Sequence, residues 1–279
     1  MSLCRLTPPP VAGSVSAMAA FPVPRYLGKT ARSDQGVRNW IADLPMIVAA
    51  LAGRWSLQVG APFQPGGQCS WTAPVTGPGG ADLVLKVAFT FPGGEERDEA
   101  AGLRAWDGDR TVWLHAACQT ESTYALLIER CLPGTPLGQA LPEPEQDEVV
   151  AGLLSRLWAQ PHGSYPFRPL AQMCAAWADE FEHDYAAAAA AERIDPGLAK
   201  AGITLFRELP QAADSQVLLC TDLHGDNILA AQRNRGWSST PSPMSATPPT
   251  TCCSTCSTAR TGWPPTRPAG QPDGGPGRA

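Results

Sequence analysis

The sequence lacks an excess of positive charge. Its 21 Lys and Arg are outnumbered by 26 Asp and Glu, giving a formal net charge of −5 and a pI near 5.4. A nucleic-acid or polyanion binder needs a basic patch that releases counterions, so such partners are excluded and a cationic small molecule is permitted. No apolar stretch approaches the ~18 residues that span a bilayer. Residues 1–20 have no continuous apolar core of the kind a secretory leader carries, although Met18 offers an alternative start. A cytoplasmic protein with no membrane partner is expected. The six cysteines before position 230 show no paired spacing, which points to reduced thiols rather than a disulfide scaffold. His162 and His183 have no metal-ligand spacing with each other or with a Cys pair and read as ordinary loop and helix residues. Aliphatic residues vanish after position 233, where Pro, Ser, Thr, Gly and Cys dominate. No Asp occurs between Asp226 and Asp273.

What is present is patterned like a globular protein from position 21 to 232, and 279 residues suffice for one bilobal domain or two small ones. Residues 1–29 are Pro-rich and read as irregular. Over residues 36–53, Trp40, Ile41, Leu44, Ile47, Val48 and Leu51 recur at helical spacing. A strand follows at 55–60, a turn at Pro65, Gly66, Gly67 and Gln68, and a second strand at 69–75. The Gly66–Gly67 turn reads either as an ordinary hairpin or as backbone N–H groups laid over phosphates.

Residues 82–91 form the third expected strand, with Leu83, Leu85, Val87 and Phe89 on one face and Val84, Lys86 and Ala88 on the other. A lysine among apolar same-face neighbours is costly without an anionic partner, unless it snorkels to water at a sheet edge. Residues 95–106 read as a helix. Glu99 shares a face with Leu103 and Trp106, and Glu95 and Glu96 fall in the same sector. An inward Glu one helix after an inward Lys is the ion pair with which kinases position the α- and β-phosphates. Strands at 111–116 and 124–128 then lead through Glu129, Arg130 and Cys131 to Pro133 and Gly134. By their order in this series, Glu129 and Cys131 are placed at a hinge that presents backbone groups to a nucleotide.

Two helices follow. The first, 145–160, is expected to bury Val150, Leu153, Leu154 and Leu157. The second, 170 to about 193, is expected to bury Leu170, Cys174, Trp177, Phe181 and Tyr185. Its Asp179, Glu180, Glu182 and Asp184 form either a solvated face or a receiver for a cationic substrate.

Residues 218–229 read L-L-C-T-D-L-H-G-D-N-I-L, two short apolar runs separated by a polar turn. Asp222 precedes Asn227 with the Asp-x-x-x-x-Asn spacing of kinase catalytic loops, where the Asp receives the attacking hydroxyl's proton and the Asn amide oxygen binds magnesium. The bland alternative is an Asx-turn. The longer string T-D-L-H-G-D-N-I-L resembles the H-G-D-x-H-x-x-N motif of antibiotic and small-metabolite kinases. It is most similar to the aminoglycoside/hydroxyurea antibiotic resistance kinase family, which includes streptomycin 6-phosphotransferase-like aminoglycoside phosphotransferases. Cys220 and Thr221 stand where many relatives have His and Gly. The segment E-A-A-G-L-R-A-W-D-G, residues 99–108, resembles the same family and selects Glu99 from the three glutamates.

The resemblance implies an α+β, protein-kinase-like bilobal fold, with an N-terminal antiparallel sheet lobe carrying one helix (30–131) and a mainly helical C-terminal lobe (132–233), truncated. It implies ATP and Mg2+ as cofactors, and phosphoryl transfer to a hydroxyl of an aminoglycoside-type antibiotic or hydroxyurea. On this reading Asp222 is expected to be the catalytic residue, Asn227 to bind metal, and Lys86, Glu99, Gly66, Gly67, Glu129 and Cys131 to hold the nucleotide. Alternatives are a kinase of another small hydroxylated metabolite and a non-catalytic pseudokinase remnant.

Residues 234–279 read as a disordered tail, because the lone C-x-x-C of Cys253 and Cys256 has too few partners for a closed zinc site. A third reading uses the genetic code. Shifted by one base, with wobble bases chosen, the bases from Trp237 to Ala259 spell the 22 residues V-V-D-P-K-P-Y-V-G-D-P-T-Y-D-V-L-Q-H-L-L-N-C, the first Val falling at position 238. That string resembles the V-I-D-P-x-x-x-x-G-D-P segment of the family, whose first Asp holds the catalytic magnesium. A frameshift at or just before Asn234 would remove that ligand, strip helices from the large lobe and expose the apolar faces around Leu153 and Trp177.

Overall fold

The computed structural model describes residues 21–91, 96–158, 165–187, 194–212, 216–233, 236–239 and 243–245. Its first part is an antiparallel sheet built from β1 (Gln58–Val59), β2 (Ser70–Thr76), β3 (Asp82–Phe89), β4 (Leu114–Gln119) and β5 (Thr123–Glu129), in the order β1-β2-β3-β5-β4. Alternation along β3 divides the lobe into two layers, because successive strand side chains point to opposite faces. Leu83, Leu85 and Val87 join Trp71, Ala73 and Val75 of β2 against helices α1 (Arg25–Ser33) and α2 (Gln35–Trp55), which contribute Leu27, Trp40, Leu44, Val48 and Leu51. On the opposite face Val84 joins Leu126 and Ile128 of β5 against Ala100 and Leu103 of α3 (Glu96–Trp106). Each fully buried side chain of this size stabilises the fold by roughly 1.5–3 kcal/mol.

The remainder is mainly helical: α4 (Leu137–Ala140), α5 (Glu143–Trp158), α6 (Leu170–Ala187) and α7 (Pro196–Glu208). Short antiparallel strand pairs accompany the helices. β8 (Ile228–Ala231) lies between β6 (Pro133–Pro136) and β9 (Gly236–Ser239), and β7 (Leu218–Cys220) pairs with β10 (Pro243–Ser245). The architecture is the expected α+β arrangement of an antiparallel sheet lobe followed by a mainly helical lobe.

Helix α3 joins the two parts. One side carries Ala100 and Leu103 into the sheet layer, while Ala101 and Trp106 enter a second cluster with Leu153 and Leu157 of α5 and Leu218, Cys220, Leu223 and Ile228. The buried Trp106 indole donates to the Leu157 carbonyl at 3.2 Å. A helix fixed on both sides can hold a side chain at a set position between the lobes.

Several local expectations change. Trp55 closes α2 instead of opening a strand, and β1 is only two residues long. Ser56 takes a left-handed conformation (φ 55°, ψ 51°) that terminates the helix, so strand geometry starts later. The Pro-rich beginning is helical from Arg25. Helix α7 went unforeseen: Pro196 opens it and the Asp195 carboxylate accepts from Leu198 N–H at 2.8 Å.

On α6 the buried residues are Met173, Cys174 and Ala178, whereas Trp177 and Phe181, expected inside, are 43% and 40% exposed. They form an aromatic stripe with α7, Trp177 standing edge-on to Phe206 at 6.4 Å. Of the two faces expected to open with a lost C-terminus, that around Trp177 is open, but Leu153 is buried at 4% exposure in the α3–α5 cluster. Strand pairing also continues past the expected boundary at 233, through β9 and β10 to residue 245. The C-x-x-C lies outside the described residues. Cys69, Cys131, Cys174 and Cys220 are not disulfide-bonded, as expected, while Cys118 is, contrary to the expectation of uniformly reduced cysteines. Among the described residues no helix is long and apolar enough to cross a membrane.

Candidate active site

Lys86 lies on β3 opposite Thr72 of β2 and Leu126 of β5, so it belongs to an interior strand rather than a sheet edge. Its ammonium donates to both carboxylate oxygens of Glu99 at 2.8 and 2.7 Å. Glu99 is 3% exposed, and a carboxylate so buried requires a charged partner, since breaking such a pair costs ~3–5 kcal/mol. The snorkelling alternative for Lys86 is thereby set aside. Of the three candidate glutamates, Glu95 lies outside the described residues and nothing is described of the Glu96 side chain; Glu99 is the one paired with Lys86.

The polar turn between β7 and β8 closes on itself. The Asn227 side-chain amide donates to the Asp222 carboxylate at 2.8 Å and to the Asp222 carbonyl at 2.9 Å. Asp226 N–H donates to His224 Nδ1 at 3.3 Å, and His224 Nε2 faces Asp222 Oδ1 at 3.6 Å. The Asp222 side chain is 54% exposed, as a group that meets a substrate requires. Gly225 lets the turn approach α4: its carbonyl accepts from Gly138 N–H at 3.1 Å, and a Cβ there would stand 3.1 Å from Gly138 backbone atoms.

Cys220, at the position where relatives of the motif carry His, is an apolar core residue 3% exposed. Burial pushes its thiol pKa far up, and the charges of Asp222 and Glu99 add to the shift. The α3–α5 cluster that holds Cys220 also takes Ala101 of α3, two residues from Glu99, and Leu223, next to Asp222.

The segment expected to be the hinge follows β5. Cys131 is 9% exposed in the α3–β5 cluster. Burial pushes its thiol up to about 11, with the Glu129 charge adding and Arg233 opposing. The Glu129 carboxylate is taken by Arg233, with Nε to Oε1 and Nη2 to Oε2 both at 2.8 Å. Any nucleotide contact at Glu129 therefore falls to its backbone.

Gly66 and Gly67 lie in the 60–69 connection between β1 and β2. Gly66 has φ 73°, and a Cβ on it would clash with Pro24 at 2.4 Å; glycine is required there by the packing of the N-terminal segment. A Cβ on Gly67 would meet the Ser70 hydroxyl at 3.0 Å. On α6, Asp179 and Glu182 are engaged by Arg207 of α7 at 2.7 and 2.6 Å, so two of the four carboxylates considered for a cationic substrate bind an internal cation.

Sequence reasoning missed three contributors. Arg233 marked only a composition boundary, and its partners lie 104 to 125 residues away, beyond the reach of any local pattern. His224 was read as part of the turn without a role. Tyr165 donates to Asp98 at 2.8 Å from 67 residues away, tying α3 to the segment before α6.

The donors around Asn227 fit a magnesium ion only partly. Mg2+ keeps several waters and takes one or two protein carboxylates alongside substrate phosphates. Asn227 offers an amide oxygen beside Asp222, but among the described residues no group of three or more His, Cys, Asp or Glu is placed to hold a metal.

Residues 54–245 match the family model described as aminoglycoside/hydroxyurea antibiotic resistance kinase. The chain is 31% identical over 211 residues to the streptomycin 6-kinase of Streptomyces griseus, covering 76% of this chain and 66% of that protein. It is 29% identical over 235 residues to the streptomycin 6-kinase of Streptomyces glaucescens, covering 84% and 74%. To the hydroxyurea phosphotransferase of Kitasatospora aureofaciens it is 31% identical over 218 residues, covering 76% of this chain and 60% of that protein. The matched region contains β1 to β10, the Lys86–Glu99 pair and the Asp222–Asn227 turn, and the chain belongs to the aminoglycoside/hydroxyurea antibiotic resistance kinase family.

Proposed function

We propose that this chain is built as an ATP-dependent phosphotransferase acting on a hydroxyl group of an aminoglycoside-type antibiotic or of hydroxyurea in the cytoplasm, and that its written C-terminus impairs it. The observation that carries this reading is the buried Lys86–Glu99 ion pair on a helix packed against the Asp222–Asn227 strands. A structural lysine has no need of that placement, whereas a phosphate-binding lysine needs its charge held in position. Lys86, fixed by Glu99, grips the α- and β-phosphates. The connection containing Gly66 and Gly67 covers them, and backbone groups at Glu129 and Cys131 meet the base. Asp222 orients the acceptor hydroxyl and takes its proton, held in place by the Asn227 amide, while the amide oxygen of Asn227 serves as a metal ligand. When bound, magnesium supplies neutralisation of the phosphate charge. The named activities of the relatives, on streptomycin and on hydroxyurea, support the acceptor class.

The impairment follows from residue 240. In the shifted reading the metal-binding Asp falls at that position, where the written chain has Thr240. Ser239, the residue before it in the chain, pairs with Ile228, the neighbour of Asn227. Loss of one preorganised group that stabilises transition-state charge costs roughly 2.7–4 kcal/mol. Resequencing the gene through codons 229–259 and assaying both reading frames for ATP-dependent phosphorylation of streptomycin and hydroxyurea tests the proposal. The shifted frame is expected to turn over, and Asp222→Ala in it to lower turnover by about 10²–10⁴-fold; full turnover by that variant would refute the assignment. The missing Asp also favours a second reading, a nucleotide-binding remnant. That reading expects ATP binding without turnover, unchanged by Asp222→Asn.

A further inference from the structure

Arg233 stands two residues beyond β8, the strand that begins next to Asn227, and its guanidinium is shared by three chain segments. The first is the hinge: Nε lies 2.8 Å from Glu129 Oε1 and 3.1 Å from Oε2, and Nη2 lies 2.8 Å from Oε2. The second is the loop leaving α3, where Nη1 donates to the Gly108 carbonyl at 2.9 Å and Nη2 to the Thr111 carbonyl at 2.7 Å. The third is the approach to β4, where the guanidinium lies over the Trp113 ring at 4.4 Å. The same Glu129 carboxylate accepts from Trp113 N–H at 3.1 Å. Backbone bonds run alongside, Glu129 N–H to the Trp113 carbonyl at 2.9 Å and Gln232 N–H to the Leu132 carbonyl at 3.0 Å.

The loop is shaped to receive this clamp. Gly108 has φ 75°, and a Cβ there would fall 1.8 Å from the Trp113 indole nitrogen, so only glycine allows Trp113 to lie under the guanidinium. The Arg233 and Glu129 side chains are 24% and 19% exposed, and a fork of planar donors satisfying a carboxylate and two carbonyls is geometry a lysine cannot reproduce.

We propose that Arg233 is a positioning residue that fixes the hinge, the loop after α3 and the strand leaving Asn227 as one unit, and so sets the distance between the Lys86–Glu99 pair and the Asp222–Asn227 turn. The hinge, the loop after α3 and the strand that precedes Arg233 each lead directly to a residue of the candidate site: Cys131 in the hinge, Glu99 on α3 and Asn227 at the head of β8. The effect on nucleotide affinity rests on the nucleotide-binding reading above, whereas the effect on the clamp itself does not.

The test uses the full chain and its Arg233→Met, Arg233→Lys and Glu129→Gln variants. ATP affinity is measured by calorimetry, and amide exchange is followed at Trp113, Glu129 and Gln232. Arg233→Met is expected to weaken ATP binding by about tenfold, within the range of typical coupling between linked sites, and to speed exchange at those three amides while β2 and β3 stay protected. Arg233→Lys should fall between, and Glu129→Gln should reproduce much of the loss. Unchanged exchange at the three amides, or faster exchange spread evenly over the whole chain, overturns the clamp. If the parent chain binds ATP and Arg233→Met binds it equally well, the link to the site is overturned. If the parent chain binds no ATP, the nucleotide-binding reading fails and the exchange pattern alone decides the clamp.

Discussion

Trp71, Trp106 and Tyr124 are each 1% exposed, whereas Trp177, Phe181 and Phe206 on α6 and α7 are 43%, 40% and 46% exposed. The first group is enclosed by distant segments: the Trp71 indole donates to the Pro22 carbonyl at 3.0 Å, Trp106 to Leu157, and the Tyr124 hydroxyl accepts from Ala100 N–H at 3.1 Å. In the second group Trp177 of α6 stands edge-on to Phe206 of α7, while Phe181 stacks on Tyr185 of its own helix, with Arg207 joining the helices through exposed carboxylates. Contiguous exposed aromatics signal a surface with a missing partner. The chain covers 66%, 74% and 60% of its three relatives, and residues 234–279 contain no Leu, Ile or Val. The contrast locates stability in the sheet lobe and its α3–α5 extension.

The largest expected effect tests that contrast directly. Trp71→Ala should cost ~3–5 kcal/mol, while Trp177→Ala should cost below about 1 kcal/mol, as surface substitutions do, with both read from denaturant midpoints. Equal losses would erase the distinction between the regions. Next, Lys86→Met should cost ~3 kcal/mol, the low end for a broken buried pair, because the lysine side chain keeps 23% exposure against 4% for Glu99. Adding Glu99→Leu should recover most of that loss, since the uncompensated charge is then gone. A double variant no more stable than Lys86→Met would show that the pair does more than balance charge.

The same contrast governs what could be read from the sequence. Lys86, Glu99, Asp222 and Asn227 were legible because each sits in a short pattern whose period or spacing carries the chemistry: strand alternation at Lys86, helical spacing plus a resemblance at Glu99, a turn motif at Asp222 and Asn227. Arg233 was not, because its partners Glu129, Gly108 and Thr111 come from distant parts of the chain and no local pattern marks them. The α6 face was misjudged for a related reason. Periodicity identified an apolar stripe of Trp177 and Phe181, but whether a stripe is buried depends on what packs over it, and that is set by tertiary contacts rather than by the spacing within the helix. Helix α7 was overlooked because its apolar pattern is thin, with Ala199 its one buried residue.

A smaller effect depends on pH and belongs to the sheet lobe. Cys131 is pushed from the ordinary thiol value of 9.0 up to about 11, chiefly by burial. Above pH 9 the unfolded chain releases this proton while the folded chain retains it, so stability falls as pH rises. The contribution is fully present below about pH 9 and is lost between about 9 and 11, ~2–3 kcal/mol in all. Cys220 shifts in the same direction. Comparison with Cys131→Val isolates the hinge thiol: the variant should lose less stability over that window, and parallel pH profiles would contradict the burial of Cys131.

The smallest effect compares two helix caps of the same chemistry. The Asp34 carboxylate accepts from Val37 N–H at 2.9 Å at the start of α2, and that of Asp195 from Leu198 N–H at 2.8 Å at the start of α7. Replacing either by Ala removes about 1 kcal/mol of capping. In α2 five buried side chains, Val37, Trp40, Leu44, Val48 and Leu51, tie the first turn to the sheet, so Asp34→Ala should lower global stability by that amount. Helix α7 buries only Ala199, so its ends are expected to open without unfolding the rest. Asp195→Ala should therefore leave the global midpoint nearly unchanged and accelerate amide exchange over the first turn of α7, because the lost energy appears in a local opening. An equal shift in the global midpoint from both variants would mean that α7 unfolds together with the sheet lobe, and the open aromatic face would then belong to the same cooperative unit as the buried one.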